Sequence, residues 1–143
     1  MFIGEYTHSI DGKNRLFVPT KFQKDLKQGV VVTRGLDSCL FVFSLKSWEQ
    51  IAEKLKSMPL TNQNSRAFAR LMLAGAMEVK LDKQGRILLP QYLKEFASLN
   101  KETVLAGLFD RIEIWNKESW EKYKKQTEKD SNKIAENLTE LGI

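Results

Sequence analysis

Apolar and polar positions along this chain fall into one pattern that occurs twice. From Glu5 to Ile10 the alternation is imperfect, but Tyr6, Thr7 and Ile10 mark a strand. Gly12-Lys13-Asn14 follows as a three-residue turn and Arg15-Leu16-Phe17-Val18 as a return strand, which together predict a hairpin. Beyond Pro19, Phe22 and Leu26 are spaced for one face of a short helix, and proline suits a helix's first turn. Val30-Val31-Val32 and Leu40-Phe41-Val42-Phe43, parted at Gly35, are short continuous apolar runs of the kind that form buried strands. Trp48, Ile51, Leu55 and Met58 then share a helical face that stops before Pro59.

The second half repeats the order. Asp82-Lys83-Gln84-Gly85-Arg86-Ile87-Leu88-Leu89-Pro90 lies 71 positions after Asp11-Gly12-Lys13-Asn14-Arg15-Leu16-Phe17-Val18-Pro19. Each string is an acid, three loop residues, an arginine, three apolar residues and a proline. A short helix at 91–97, with Tyr92 and Phe96 on one face, and apolar strands at Val104-Leu105-Ala106 and Ile112-Glu113-Ile114-Trp115 complete the match. Ser47-Trp48 returns as Ser119-Trp120, each serine placed to cap a helix. Duplication predicts a mixed α+β, β-rich fold of two units, at 5–58 and 76–143. The segment 59–75 between them is a polar linker and a helix from Ser65 to Ala74 carrying Phe68, Leu71 and Met72 on one side. That apolar side is expected to pack on the chain's own strands, the alternative being a contact between subunits. A long Lys- and Glu-rich helix is expected from Ser119 towards Leu141, anchored by Trp120 and Tyr123 and solvated over 124–133.

Within each turn the residue types have separate duties. The third loop position of such a hairpin favours left-handed backbone, and Asn14 aligns there with Gly85. Asp11 and Asp82 flank the loops opposite Arg15 and Arg86, so each pair is placed for a cross-strand ion pair of about 0.2–1 kcal/mol.

Composition narrows the function. At 42% apolar and 29% charged residues the chain is an ordinary globular sequence, without a long apolar run or a signal-peptide pattern. One cysteine, Cys39, permits no internal disulfide, which fits a reducing cytoplasm. The net charge of +5 sits entirely in residues 1–71, where 11 Lys and Arg face 6 Asp and Glu; residues 72–143 carry 12 of each. Enzyme readings are weak. His8 aligns with Val79 and Cys39 with Arg111, and phosphate loops, metal-ligand spacings and nucleophile elbows are missing from the sequence. No catalytic residue, metal, cofactor, membrane or small-molecule substrate is therefore expected.

The tips are the better candidates. Lys13 and Arg15 in one, Lys83 and Arg86 in the other, sit on loops thrust from two-stranded ribbons. A β-ribbon fits the major groove, where arginine takes guanine bidentately and lysine meets phosphate.

The two Asp-x-x-x-Arg strings resemble the signature of the MraZ family of bacterial transcriptional regulators. Their frame is similar too: Met1-Phe2-Ile3-Gly4-Glu5-Tyr6 before the first, Leu81 ahead of the second, Arg111-Ile112-Glu113-Ile114-Trp115 after it, and Arg66-Ala67-Phe68 leading to Gly75-Ala76. The likeness runs from residue 1 to about 123, and Asn14 departs from the family's usual glycine. It implies two tandem AbrB-like swapped-hairpin units interleaved into a double-split β-barrel with flanking helices. It implies self-association into a closed, ring-like homo-oligomer, and a cytoplasmic, nucleoid-associated protein binding double-stranded DNA at short direct repeats. The operon so regulated, generally repressed, is its own, serving cell division and cell-wall synthesis. Carried over residue by residue, Arg15 and Arg86 are the prime DNA contacts, with Lys13 and Lys83 beside them.

Two other readings compete. An antitoxin-like or structural interaction module on the same barrel would use the segment 120–143 as a partner-binding tail, but Trp120 and Tyr123 favour a docked helix. RNA binding would need an aromatic stacking platform that the pattern lacks.

Overall fold

The structure, a computed structural model, describes residues 1–142. The first half contributes β1 (Phe2–Ser9), β2 (Arg15–Phe17), α1 (Thr20–Gln23, continued by a 3-10 turn, Lys24–Leu26), β3 (Val30–Arg34), β4 (Leu40–Ser44) and α2 (Leu45–Lys56). Then α3 (Gln63–Ala69) runs into a π-helical turn, Arg70–Ala74. The second half follows as β5 (Met77–Val79), β6 (Arg86–Leu88), α4 (Gln91–Phe96), β7 (Glu102–Phe109), β8 (Ile112–Asn116), α5 (Lys117–Lys129), α6 (Ser131–Asn137) and a 3-10 turn, Thr139–Leu141. No helix among the described residues is long and apolar enough to cross a membrane.

The strands pair across the halves. An antiparallel sheet of six strands runs β1-β7-β8-β4-β3-β5, and β2 and β6 form a separate two-stranded ladder. Thus β1 lies along β7, from Phe2 opposite Phe109 to Ser9 opposite Glu102, while β5 lies along β3. The predicted hairpins are corrected accordingly. Beyond a single bridge, Ile10 to Leu16, the first hairpin's strands part and take partners from the other copy. The physical reason is burial. Three-residue return strands cannot cover their own apolar side chains, but paired as Leu16 opposite Ile87 they bury both at 0% and 1% exposure. The six-stranded sheet has open edges at β1 and β5 among the described residues, with no closed barrel.

Period-two alternation gives the sheet two covered faces, which explains the continuous apolar runs. Leu40, Val42, Ile112 and Ile114 point to one side, against Leu16, Val18, Phe22, Ile87, Leu89 and Leu93. Phe41, Phe43 and Trp115 point to the other, against Leu55 of α2, Phe68 and Met72 of the connecting helix, and Trp120 of α5. The connecting helix therefore packs on its own sheet, and the buried Thr33 hydroxyl donates to the Met72 carbonyl at 2.6 Å.

Local details differ from the sequence expectations at helix starts. Ser44 and Asn116, the last residues of strands, cap α2 and α5 by accepting the backbone N–H of Ser47 and Ser119. The predicted caps are thus three residues inside, as donors to caps. Asn62 likewise caps α3, which starts at Gln63 instead of Ser65. On α4 the fully buried residue is Leu93, the counterpart of Phe22, while Tyr92 turns out to donate its hydroxyl to the Gly75 carbonyl at 2.9 Å. The C-terminal helix is broken at Asp130. Its first part is docked: Trp120 meets Trp115 edge to face with ring centroids 5.3 Å apart and donates to Glu5 at 2.6 Å. Lys124 meets Glu5 at 2.8 Å, and this bond above all holds the Glu5 carboxyl below its usual range.

Candidate nucleic-acid interface

Each tip is a turn built on its aspartate. Asp11 Oδ1 accepts the backbone N–H groups of Lys13 and Arg15, both at 2.9 Å, and Oδ2 accepts from Arg15 Nε at 2.7 Å. Asp82 repeats this with Gln84 N and Arg86 N at 2.9 Å and Arg86 Nε at 2.8 Å. A short carboxylate that takes N–H groups two and four residues on is a side-chain mimic of a backbone turn. Those backbone donors, first among them the N–H of Arg15 or Arg86, hold both carboxyls below the usual aspartate range. Backbone bonds finish the loops: Asn14 N donates to the Asp11 carbonyl at 3.1 Å, and Gly85 N to that of Asp82 at 3.0 Å. Asn14 and Gly85 have φ of 63° and 78°, the left-handed geometry that aligned them in sequence.

The tips are joined. Val18 N donates to the Gly85 carbonyl at 2.9 Å, and Leu89 N to that of Asn14 at 2.8 Å, so each turn is pinned by the strand end of the other copy. Arg86 Nη1 lies 3.8 Å from Asp11 Oδ2, which links the two ion pairs into one cluster. The four charged flanking residues, Asp11, Arg15, Asp82 and Arg86, are thus brought together. Lys13 and Lys83 lie exposed on the loops beside them.

Three residues of the cluster went unrecognised in sequence. Gln84 accepts from Arg86 Nη2 at 2.6 Å. Lys94 donates to Asn14 Oδ1 at 2.6 Å, and Gln23, its counterpart in the other copy, donates to the Val18 carbonyl at 2.8 Å. The signal was available: Gln23 and Lys94 are 71 positions apart, the repeat offset, on the helices that follow Pro19 and Pro90. The pairing also explains why the copies differ at the left-handed position. The Gln23 amide packs so closely on Gly85 that a Cβ there would lie 2.7 Å from Cδ, whereas the Asn14 side chain has Lys94 as a partner.

The residues weighed for catalysis have structural surroundings. His8 stands in β1 with its ring edge to face with Phe17, centroids 5.1 Å apart. Cys39 is buried, its thiol pushed up chiefly by that burial. Its neighbour Glu113 accepts from Arg111 Nη2 and Trp115 Nε1, both at 3.0 Å, while the Arg111 guanidinium lies 4.8 Å from the Phe41 ring centroid.

Comparison with known proteins covers the whole chain. A family model described as "MraZ protein, putative antitoxin-like" matches residues 1–71 and again 72–141. The transcriptional regulator MraZ of Clostridium acetobutylicum is 53% identical over 143 residues, all of both chains. Proteins of the same name from Caldanaerobacter subterraneus subsp. tengcongensis and Clostridium tetani are 49% and 48% identical, again over the full length of both chains.

Proposed function

The chain belongs to the MraZ family, and from that membership we propose that it is a transcriptional regulator that binds double-stranded DNA sequence-specifically through its joined tips. One observation carries the proposal: two Asp-templated turns, each bearing an arginine and a lysine, are fastened to each other by reciprocal backbone bonds and a shared ion-pair cluster. Each arginine is held at Nε by its aspartate, so its side chain is already ordered before binding and less entropy opposes contact. The names of the full-length relatives, transcriptional regulator MraZ, agree with this reading.

The finer parts follow the family likeness. The interleaved pairings β1–β7, β3–β5 and β2–β6 support two swapped-hairpin units as halves of one double-split arrangement. We read the protein as cytoplasmic and nucleoid-associated, and as a ring of identical chains that repress their own cell-division and cell-wall operon at short direct repeats. A ring gives a small tip enough affinity: each further repeat engaged adds an intramolecular contact at high effective concentration. Docking of α5 on Glu5 through Trp120 and Lys124 argues against a free partner-binding tail, and so against the antitoxin-like alternative.

A mobility-shift assay on DNA from upstream of its own coding sequence, with repeat number varied, tests the proposal. Affinity should fall with each repeat removed and fall steeply between about 50 and 200 mM salt, as released counterions require. A shift equal to that of scrambled DNA at every repeat number, with a flat salt response, would leave a protein partner as the better reading.

A further inference from the structure

We propose that the two tips divide the work: Arg15 reads a base edge, and Arg86 is a positioning residue that clamps the pair of tips. This rests on the DNA-binding reading above. A guanidinium has five N–H donors, and end-on bidentate contact with guanine O6 and N7 needs both terminal nitrogens to be available. Arg15 meets this need. Its Nε donates to Asp11, and its two terminal nitrogens have no hydrogen-bond or ion-pair partner among the described residues. Arg86 does not. Its Nε is held by Asp82 and its Nη2 by Gln84 at 2.6 Å, its Nη1 lies 3.8 Å from Asp11, and its side chain is 24% exposed against 33% for Arg15.

The difference is written in the loops. The second loop residue that holds Arg86 is Gln84, a hydrogen-bond acceptor; its counterpart beside Arg15 is Lys13, which has no acceptor to offer. The helix residue against the first tip is Lys94 and against the second is the neutral Gln23. The first tip therefore carries Lys13 and Arg15 with Lys94 bonded to its Asn14, while the second has Lys83 and Arg86 with two neutral amides. Greater positive charge and a free guanidinium edge fall on the same tip. Asp11 has a double part, since its Oδ2 binds Arg15 and also faces Arg86. Arg86 thus steadies the carboxylate that aims Arg15.

The test uses the full chain and two duplexes of equal length: the upstream DNA and a scrambled version, with single guanines of the former replaced in turn by 7-deazaguanine, which lacks the N7 acceptor. Arg15→Lys and Arg86→Lys keep the charge but lose the bidentate fork. Arg15→Lys should lower the ratio of specific to scrambled affinity about tenfold or more, and abolish sensitivity to the 7-deazaguanine that weakens the wild type. Arg86→Lys should lower that ratio by less than Arg15→Lys does, keep that sensitivity, and lower the melting temperature. If the lysine variant does not fold, Arg86→Gln, which retains a donor for Asp82, takes its place in the same measurement. Equal loss of sensitivity in the two variants, or full sensitivity in Arg15→Lys, overturns the division. A wild type that does not distinguish the two duplexes sinks the DNA-binding reading itself.

Discussion

Replacing Gly85 by alanine isolates the device that locks the tips together. Two costs add. Gly85 has φ of 78°, where a side chain clashes with its own backbone at about 1–2 kcal/mol. The new Cβ would also lie 2.7 Å from Gln23 Cδ. Gln23 is flexible enough to rotate away, but its amide would leave the Val18 carbonyl, a net loss of about 0.5–1.5 kcal/mol for that hydrogen bond. Together the destabilisation is about 1.5–3.5 kcal/mol. Urea unfolding at one fixed protein concentration measures it, because the midpoint of any self-associating protein shifts with concentration. In the Gln23→Ala background the clash and the hydrogen bond are already gone, so Gly85→Ala should cost only the backbone part, about 1–2 kcal/mol. Asn14→Gly, which removes the bond to Lys94 but relaxes the backbone, should cost less than about 1 kcal/mol. Gly85→Ala within about 0.5 kcal/mol of the wild type would refute the argument, as would an equal cost with and without Gln23.

Acid should loosen the tips before the core. Asp11 and Asp82 titrate below their ordinary value in the folded chain, so their contribution is complete above the unfolded value of about 4 and is lost as pH falls from there through the lower folded values. Stability measured from neutral pH down to about 2.5 should therefore drop less steeply in Asp11→Asn/Asp82→Asn than in the wild type, and parallel curves would contradict this. Cys39, buried and with a raised thiol pKa, should react with a thiol reagent at pH 8 only through unfolding, so its rate should rise with urea; a native-state rate like that of free cysteine would be inconsistent. Trp115→Ala, which empties a site only 4% exposed where α5 meets the sheet, should cost about 3–5 kcal/mol by calorimetry. A loss under about 1 kcal/mol would mean that α5 is not docked there.

Much of this could be read from the sequence because the relevant forces are local. The turn at Asp11–Arg15 needs a carboxylate, a left-handed residue and two N–H groups, all within five residues, and so it was visible twice. The strands at Val30–Arg34 and Leu40–Ser44 were visible because both faces of each are covered. Partnership is not visible in the apolar pattern. A strand such as Arg15–Phe17 carries that pattern but no mark of which strand will bury it, and interleaving of the two copies is implied only by the family likeness. Helix starts were missed by three residues because the acceptors are Ser44 and Asn116, at the ends of strands whose last residues look like strand. Gln84's hold on Arg86 is hidden for another reason: a glutamine in a loop has many possible partners, and the pattern does not say that its carbonyl takes the guanidinium two residues on, at 2.6 Å.

Hydrogen exchange of the full chain with and without the upstream duplex tests the central claim most directly, since it shows which backbone becomes protected on binding. Protection on adding DNA should centre on residues 11–19 and 82–90, be lost with Arg15→Ala, and leave α5 unchanged. Protection confined to α5 and α6, or to the α2–α3 side of the sheet, with both tips exchanging as in the free protein, would contradict the account.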